Sequence, residues 1–77
     1  MSTFERIQKL IAETLGVDAS EVTQNSHLYD DLKLDSLDQL ELIIQLEVEF
    51  DLFITDEEAA SWKTVADVVA YIDNRKP

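Results

Sequence analysis

The 77 residues include seventeen acidic and six basic side chains, for a formal net charge of −11, and no cysteine. Such a surface repels nucleic acid and anionic membrane and favours partners with positive patches, while the missing cysteine leaves no disulfide framework and no thiol of the protein's own. The length allows one small domain, residues 1–77, expected to be monomeric. Met1 to Ile11 is charged and amphipathic and lacks the continuous apolar region of a signal peptide, which points to the cytoplasm or an organelle matrix.

Ser2-Thr3-Phe4-Glu5 fits a capping box, with Ser2 as cap and Glu5 three residues on. Phe4, Ile7, Ile11 and Leu15 then mark one face of a helix that runs to about Leu15 and stops at Gly16, the single glycine. The remaining turns are therefore expected to use Asp, Asn, Ser and Thr. Between Val17 and Leu34 no period is sustained. Asp18 to Val22 is expected to form a short turn, with Val17, Val22, Leu28, Leu32 and Leu34 pinning a long loop to the core. His27, the one histidine, has no partner in the sequence that suggests a metal or a nucleophile, and reads as an ordinary loop residue.

Asp35-Ser36-Leu37-Asp38 opens the central helix, which continues through Gln39 to Phe50. Asp35 is a favoured N-cap, Asp38 adds a negative charge in the first turn, and Ser36 falls at the first helical position, where a side chain stands out at the rim. Projected at roughly 100° per residue, Leu42, Ile43, Leu46 and Phe50 form a core stripe, whereas Leu37, Leu40, Ile44 and Val48 form a second stripe nearly opposite. A domain this small has one core, and the interleaved charges forbid a membrane span, so the second stripe is expected to be exposed. Flanked by Asp35, Asp38, Glu41 and Glu47, it reads as a docking face of apolar anchors with an acidic rim.

Asp51 to Ile54 reads as a short connection with Phe53 and Ile54 turned inward. Thr55-Asp56-Glu57-Glu58 is a further capping-box pattern opening a helix of one or two turns through Ser61. Trp62 follows, expected at the core edge with its N–H seeking an acceptor. Thr64 to Asp67 repeats the cap pattern, Val65, Val68, Val69 and Ile72 form the last apolar stripe, and Asp73 to Pro77 is a polar end. No stretch alternates with period two, so the fold class is all-α: three main helices and one short one, with a long first loop. The acidic clusters lack the spaced ligands and mid-loop glycine of a calcium loop. Ser36 has no base near it in sequence, and its flanking carboxylates disfavour an alkoxide. Alone it is inert, a substrate for another enzyme's chemistry.

Taken together, Asp31-Leu32, Asp35-Ser36-Leu37-Asp38, Leu40-Glu41-Leu42, Glu49-Phe50-Asp51 and Asp56-Glu57-Glu58 resemble the acyl carrier proteins of dissociated fatty acid synthesis over nearly the whole chain. The resemblance implies a four-helix bundle without a catalytic site of its own. In it Ser36 carries 4′-phosphopantetheine, installed from coenzyme A by a phosphopantetheinyl transferase. Acyl groups would ride on the arm as thioesters to acyl transferases and synthase enzymes with basic docking patches, and could retreat between the helices. Asp35, Leu37, Asp38, Leu40, Glu41, Ile44, Glu47 and Val48 would form the partner face. The sequence departs from the family pattern at Lys33, where glycine is usual; at Val48, where an acidic residue is common; at Thr55, where proline is frequent; and at Trp62, where a smaller aliphatic is usual. The alternatives are a dedicated carrier for polyketide, aryl, lipid-A-type or amino-acyl groups, and an unmodified acidic helical adaptor.

Overall fold

The computed structural model describes residues 1–75, which form four helices: α1 (Thr3–Leu15), α2 (Ser36–Phe50), α3 (Asp56–Ala60) and α4 (Val65–Arg75). A single 3₁₀ turn, Ala19–Glu21, interrupts the long first connection. The described residues contain no strand, and one isolated antiparallel bridge joins His27 to Thr64.

Each helix starts where a short polar side chain offers the backbone an acceptor. Ser2 Oγ accepts from the Glu5 N–H at 3.1 Å, and Glu5 Oε1 accepts from the Ser2 N–H at 2.9 Å. Thr55 and Glu58 repeat the arrangement at α3, and Thr64 and Asp67 at α4. Gly16 ends α1 at φ +70°, its N–H donating to the Ala12 carbonyl, as expected of a glycine C-cap. At the 3₁₀ turn the Glu21 carboxylate reaches back to the Asp18 N–H.

One apolar core holds the elements together. Ile7 and Ile11 from α1, Leu42, Ile43 and Leu46 from α2, and Val65, Val68 and Ile72 from α4 are all buried. Val22, Leu28 and Leu34 reach in from the long loop as expected, with Leu32 half-buried. That loop is also stitched to the start of α4 by backbone bonds: Leu28 N–H to Lys63 O, Val65 N–H to Ser26 O and Ala66 N–H to Gln24 O.

The structure corrects four expectations. Val17 is exposed, because the turn that bonds its N–H back to the Ala12 carbonyl carries its side chain over solvent. Phe53 is 69 % exposed rather than inward. Glu47 Oε2 captures the Ile54 N–H at 2.9 Å and Arg75 the Phe53 carbonyl at 3.1 Å, so Ile54 faces the core and its neighbour faces out. Trp62 lies inside the core, 4 % exposed, and its indole N–H has no acceptor among the described residues. Finally, α4 continues through Asp73 to Arg75, part of the expected polar end; Lys76 and Pro77 lie outside the described residues.

Candidate functional site

The site begins with a backbone irregularity. Lys33 adopts φ +59°, a left-handed conformation that costs a residue with a Cβ about 1–2 kcal/mol relative to glycine. With that turn the Leu34 side chain enters the core and its N–H reaches the Leu28 carbonyl at 3.0 Å. Asp35, next in line, is extended and ready to cap α2. Turns built only from Asp, Asn, Ser and Thr were the expectation; a lysine makes this one.

His27 holds the upstream half of the loop. Its Nδ1 accepts from the N–H groups of Tyr29 (3.2 Å) and Asp30 (3.1 Å), while its own N–H donates to Asp31 Oδ2 at 2.7 Å. An ordinary loop histidine in the sequence is thus the acceptor around which residues 27–31 wind.

At the head of α2, Asp35 Oδ1 accepts from the Asp38 N–H at 2.8 Å and Asp38 Oδ2 accepts from the Asp35 N–H at 3.3 Å. Both aspartates of the motif are therefore committed to a reciprocal cap, and they fix the first turn. Ser36, between them, is exposed, and its hydroxyl makes no hydrogen bond among the described residues. A serine at a helix start commonly caps it; here Asp35 does the capping and leaves the Ser36 hydroxyl free.

From Ser36 the second stripe of α2 runs along the surface. Leu37, Leu40, Ile44 and Val48 are 76, 54, 47 and 78 % exposed, so these four large aliphatics face water on one helix. Glu41 beside them is exposed and accepts from the Gln45 amide at 3.1 Å. Glu47 is half-buried, with one oxygen engaged by the Ile54 N–H.

Between α2 and α3 lies an open cleft of about 320 Å³, lined by Ser36, Gln39, Leu40 and Ile43 on one side and Asp56 and Ala60 on the other. Ser36 stands at its rim and Ile43 belongs to the buried core, so the cleft leads from the free hydroxyl toward the interior. Gln39, Asp56 and Ala60 had no signal in the sequence that marked them as part of the site, since they are brought to Ser36 only by the packing of α3.

An exposed, unengaged hydroxyl at a capped helix start thus lies beside an exposed apolar stripe and an open cleft. Residues 5–72 match the model of the phosphopantetheine attachment site, and the chain belongs to that family. It is 50 % identical over 76 residues to an acyl carrier protein of Helicobacter hepaticus, a match covering 99 % of this chain and all of that one. The fold superposes on that of a proposed acyl carrier protein from Mycobacterium tuberculosis with a TM-score of 0.89 and 38 % identity, over 95 % of this chain and 97 % of the other. Within the family, then, this is an acyl carrier, and phosphopantetheine is its prosthetic group.

The residues present fit such a group. The Ser36 hydroxyl is accessible to an enzyme active site, no protein group competes for it, and the neighbouring cleft has room for an extended chain.

Proposed function

We propose that Ser36 is the attachment residue and that the chain, acting as one carrier unit without catalysis of its own, delivers acyl groups to the enzymes of fatty acid synthesis. The observation that carries this reading is the free Ser36 hydroxyl at the first turn of α2, held out by the Asp35–Asp38 cap. In the priming step Ser36 Oγ forms a bond to the phosphorus that bears the pantetheine arm of coenzyme A. The pyrophosphate P–O bond breaks, the nucleotide half leaves, and the serine proton passes to a base of the transferase. That base has to come from the partner, because Asp35 and Asp38 are engaged with backbone N–H groups and disfavour charge on the serine.

The arm, once attached, supplies the thiol that this cysteine-free chain lacks. The chain's own residues do the rest. Leu37, Leu40, Ile44 and Val48 offer apolar anchors, and Asp35, Asp38, Glu41 and Glu47 surround them with negative charge suited to Arg- and Lys-rich patches on the transferase and the acyl-handling enzymes. The cleft beside Ser36 gives a bound acyl chain a route between α2 and α3, out of water. No helix among the described residues is long and apolar enough to cross a membrane.

The test is intact mass before and after incubation with coenzyme A and a broad-specificity phosphopantetheinyl transferase. The expected result is a gain of one phosphopantetheinyl group in the native chain and none in Ser36→Ala. A folded, unmodified native chain that gains nothing would instead favour an acidic adaptor that uses the same α2 stripe without priming.

A further inference from the structure

Lys33 stands out by its charge as well as by its backbone. It is the only lysine or arginine in residues 10–62, a stretch that includes Ser36 and the whole of α2. Its side chain is exposed and makes no hydrogen bond or ion pair among the described residues. The carboxylates nearest to it in the chain are engaged elsewhere: Asp31 Oδ2 accepts from the His27 N–H at 2.7 Å, and Asp35 and Asp38 cap one another.

Nothing within the protein accounts for a lysine at this place. A left-handed residue with a Cβ carries a backbone cost that glycine lacks, and this side chain makes no contact that offsets it. A surface lysine on relaxed backbone needs no explanation, whereas one held in a sparsely populated conformation points to a role outside the fold. The group within its reach is the one at Ser36. Three steps of chain separate the two residues, a span of at most about 11 Å. A lysine carries its ammonium about 6 Å from the backbone on a flexible four-carbon stem. It can therefore meet a phosphate on Ser36 Oγ with the backbone left as it is.

The site also needs a cation. A phosphodiester on Ser36 adds a negative charge between two carboxylates that are held in place by the cap. Charges this close lie within the screening length of about 8–10 Å at ordinary ionic strength, so the three repel one another. Lys33 is the one lysine or arginine of the loop and helix that present Ser36.

We propose that Lys33 is a positioning residue for the prosthetic arm: its ammonium pairs with the phosphodiester on Ser36 and ties the base of the arm to the loop that enters α2. This rests on the reading of Ser36 as the attachment site. The contact is an ion pair, with no covalent change, and because it is exposed it weakens as salt is added.

The test reads the phosphorus, of which the primed chain holds one. The full chain and its Lys33→Gln, Lys33→Arg and Lys9→Gln variants are primed, priming is verified by intact mass, and phosphorus NMR spectra are recorded at low and high salt. Lys33→Gln keeps a Cβ and removes the charge. Lys9→Gln removes the same charge from α1, beside Arg6 and Glu49 at the far end of α2. An exposed pair favours the tied arm over the free one by about two- to fivefold. At low salt the phosphorus of the native chain should therefore differ in shift and relax faster than that of Lys33→Gln. Lys33→Arg should restore the native signal and Lys9→Gln should leave it unchanged, while high salt moves the native signal onto that of Lys33→Gln. In the native chain alone, the ε-methylene resonances of Lys33 should shift on priming and those of Lys9 should not, a measurement that stands whether or not a variant folds. A phosphorus signal that is the same in the native chain and Lys33→Gln overturns the proposal. So does one that Lys9→Gln changes equally, which reports net charge alone, or one that Lys33→Arg fails to restore, which reports the shape of the loop. A chain that cannot be primed at Ser36 refutes the attachment reading and this proposal together, whereas one that is primed and shows no dependence on Lys33 refutes this one alone.

Discussion

The two ends of α2 are built differently. At the N-terminal end the hydrogen bonds of the helix itself are local: Asp35 and Asp38 cap one another, Lys33 makes the entering turn, and Ser36 and Leu37 stand in water. At the C-terminal end the contacts come from distant parts of the chain. Arg6 from α1 binds the Glu49 carboxylate at 2.7 Å and the Glu49 carbonyl at 3.1 Å, and its guanidinium stacks over the Phe50 ring at 4.3 Å. Glu47 holds the Ile54 N–H, and Asp51 turns the chain away at φ +52°. One end is fastened and the other is offered.

The largest effect is expected where fastening is removed. Glu47→Ala leaves the N–H of buried Ile54 without an acceptor, a loss of about 1–3 kcal/mol. In a domain of this size each kcal/mol lowers the melting temperature by roughly 4–8 °C. Differential scanning calorimetry checks this, and a melting temperature equal to that of the native chain would show that Glu47 belongs only to the docking rim.

At the offered end the sign reverses. Lys33→Gly relieves the left-handed strain but adds freedom to the unfolded chain, and the difference is a gain of a few tenths to about 1 kcal/mol. Urea unfolding should show a raised midpoint with an unchanged slope. A lowered midpoint would mean that the lysine side chain holds the loop by contacts that outweigh its backbone cost.

The smallest effect is in acid. The fastened end continues into the Thr55–Glu58 cap, where hydrogen bonds from the Thr55 N–H and hydroxyl hold the Glu58 carboxyl below its ordinary value of 4.5. Because the folded value is the lower one, this contribution is complete above the ordinary glutamate range and is lost as pH falls through the depressed value. Glu58→Gln keeps the geometry of the cap and removes the titration, so its melting temperature should fall less steeply than the native one below about pH 4.5. Parallel pH profiles for the two chains would remove Glu58 from the acid response.

Most of this architecture was legible in the residues. The capping boxes at Ser2, Asp35, Thr55 and Thr64 are local, with both partners three residues apart, so the sequence displays them whole. The exposed stripe followed from a count: two apolar faces on one helix and one small core. What escaped was non-local. That Glu47 fastens Ile54 depends on how the chain folds back after Asp51, and Phe53 points outward because of a bond from Arg75 at the far end of the chain. Lys33 in a left-handed turn was invisible because nothing about lysine favours that conformation; the demand comes from burying Leu34 while freeing Ser36. The orphan state of Trp62 was equally out of reach, since a tryptophan seeking an acceptor and one without any have the same letter.

The stitching of the long loop to the start of α4 bears on how the molecule opens. The hydrogen bonds from Leu28 to Lys63, Val65 to Ser26 and Ala66 to Gln24 join segments from opposite halves of the chain, so the loop that presents Ser36 and the first turn of α4 must protect their amides as one cooperative unit. Fraying of α4 at its N-terminal end therefore exposes the loop to exchange and proteolysis. The presenting segment borrows its order from the far half of the chain.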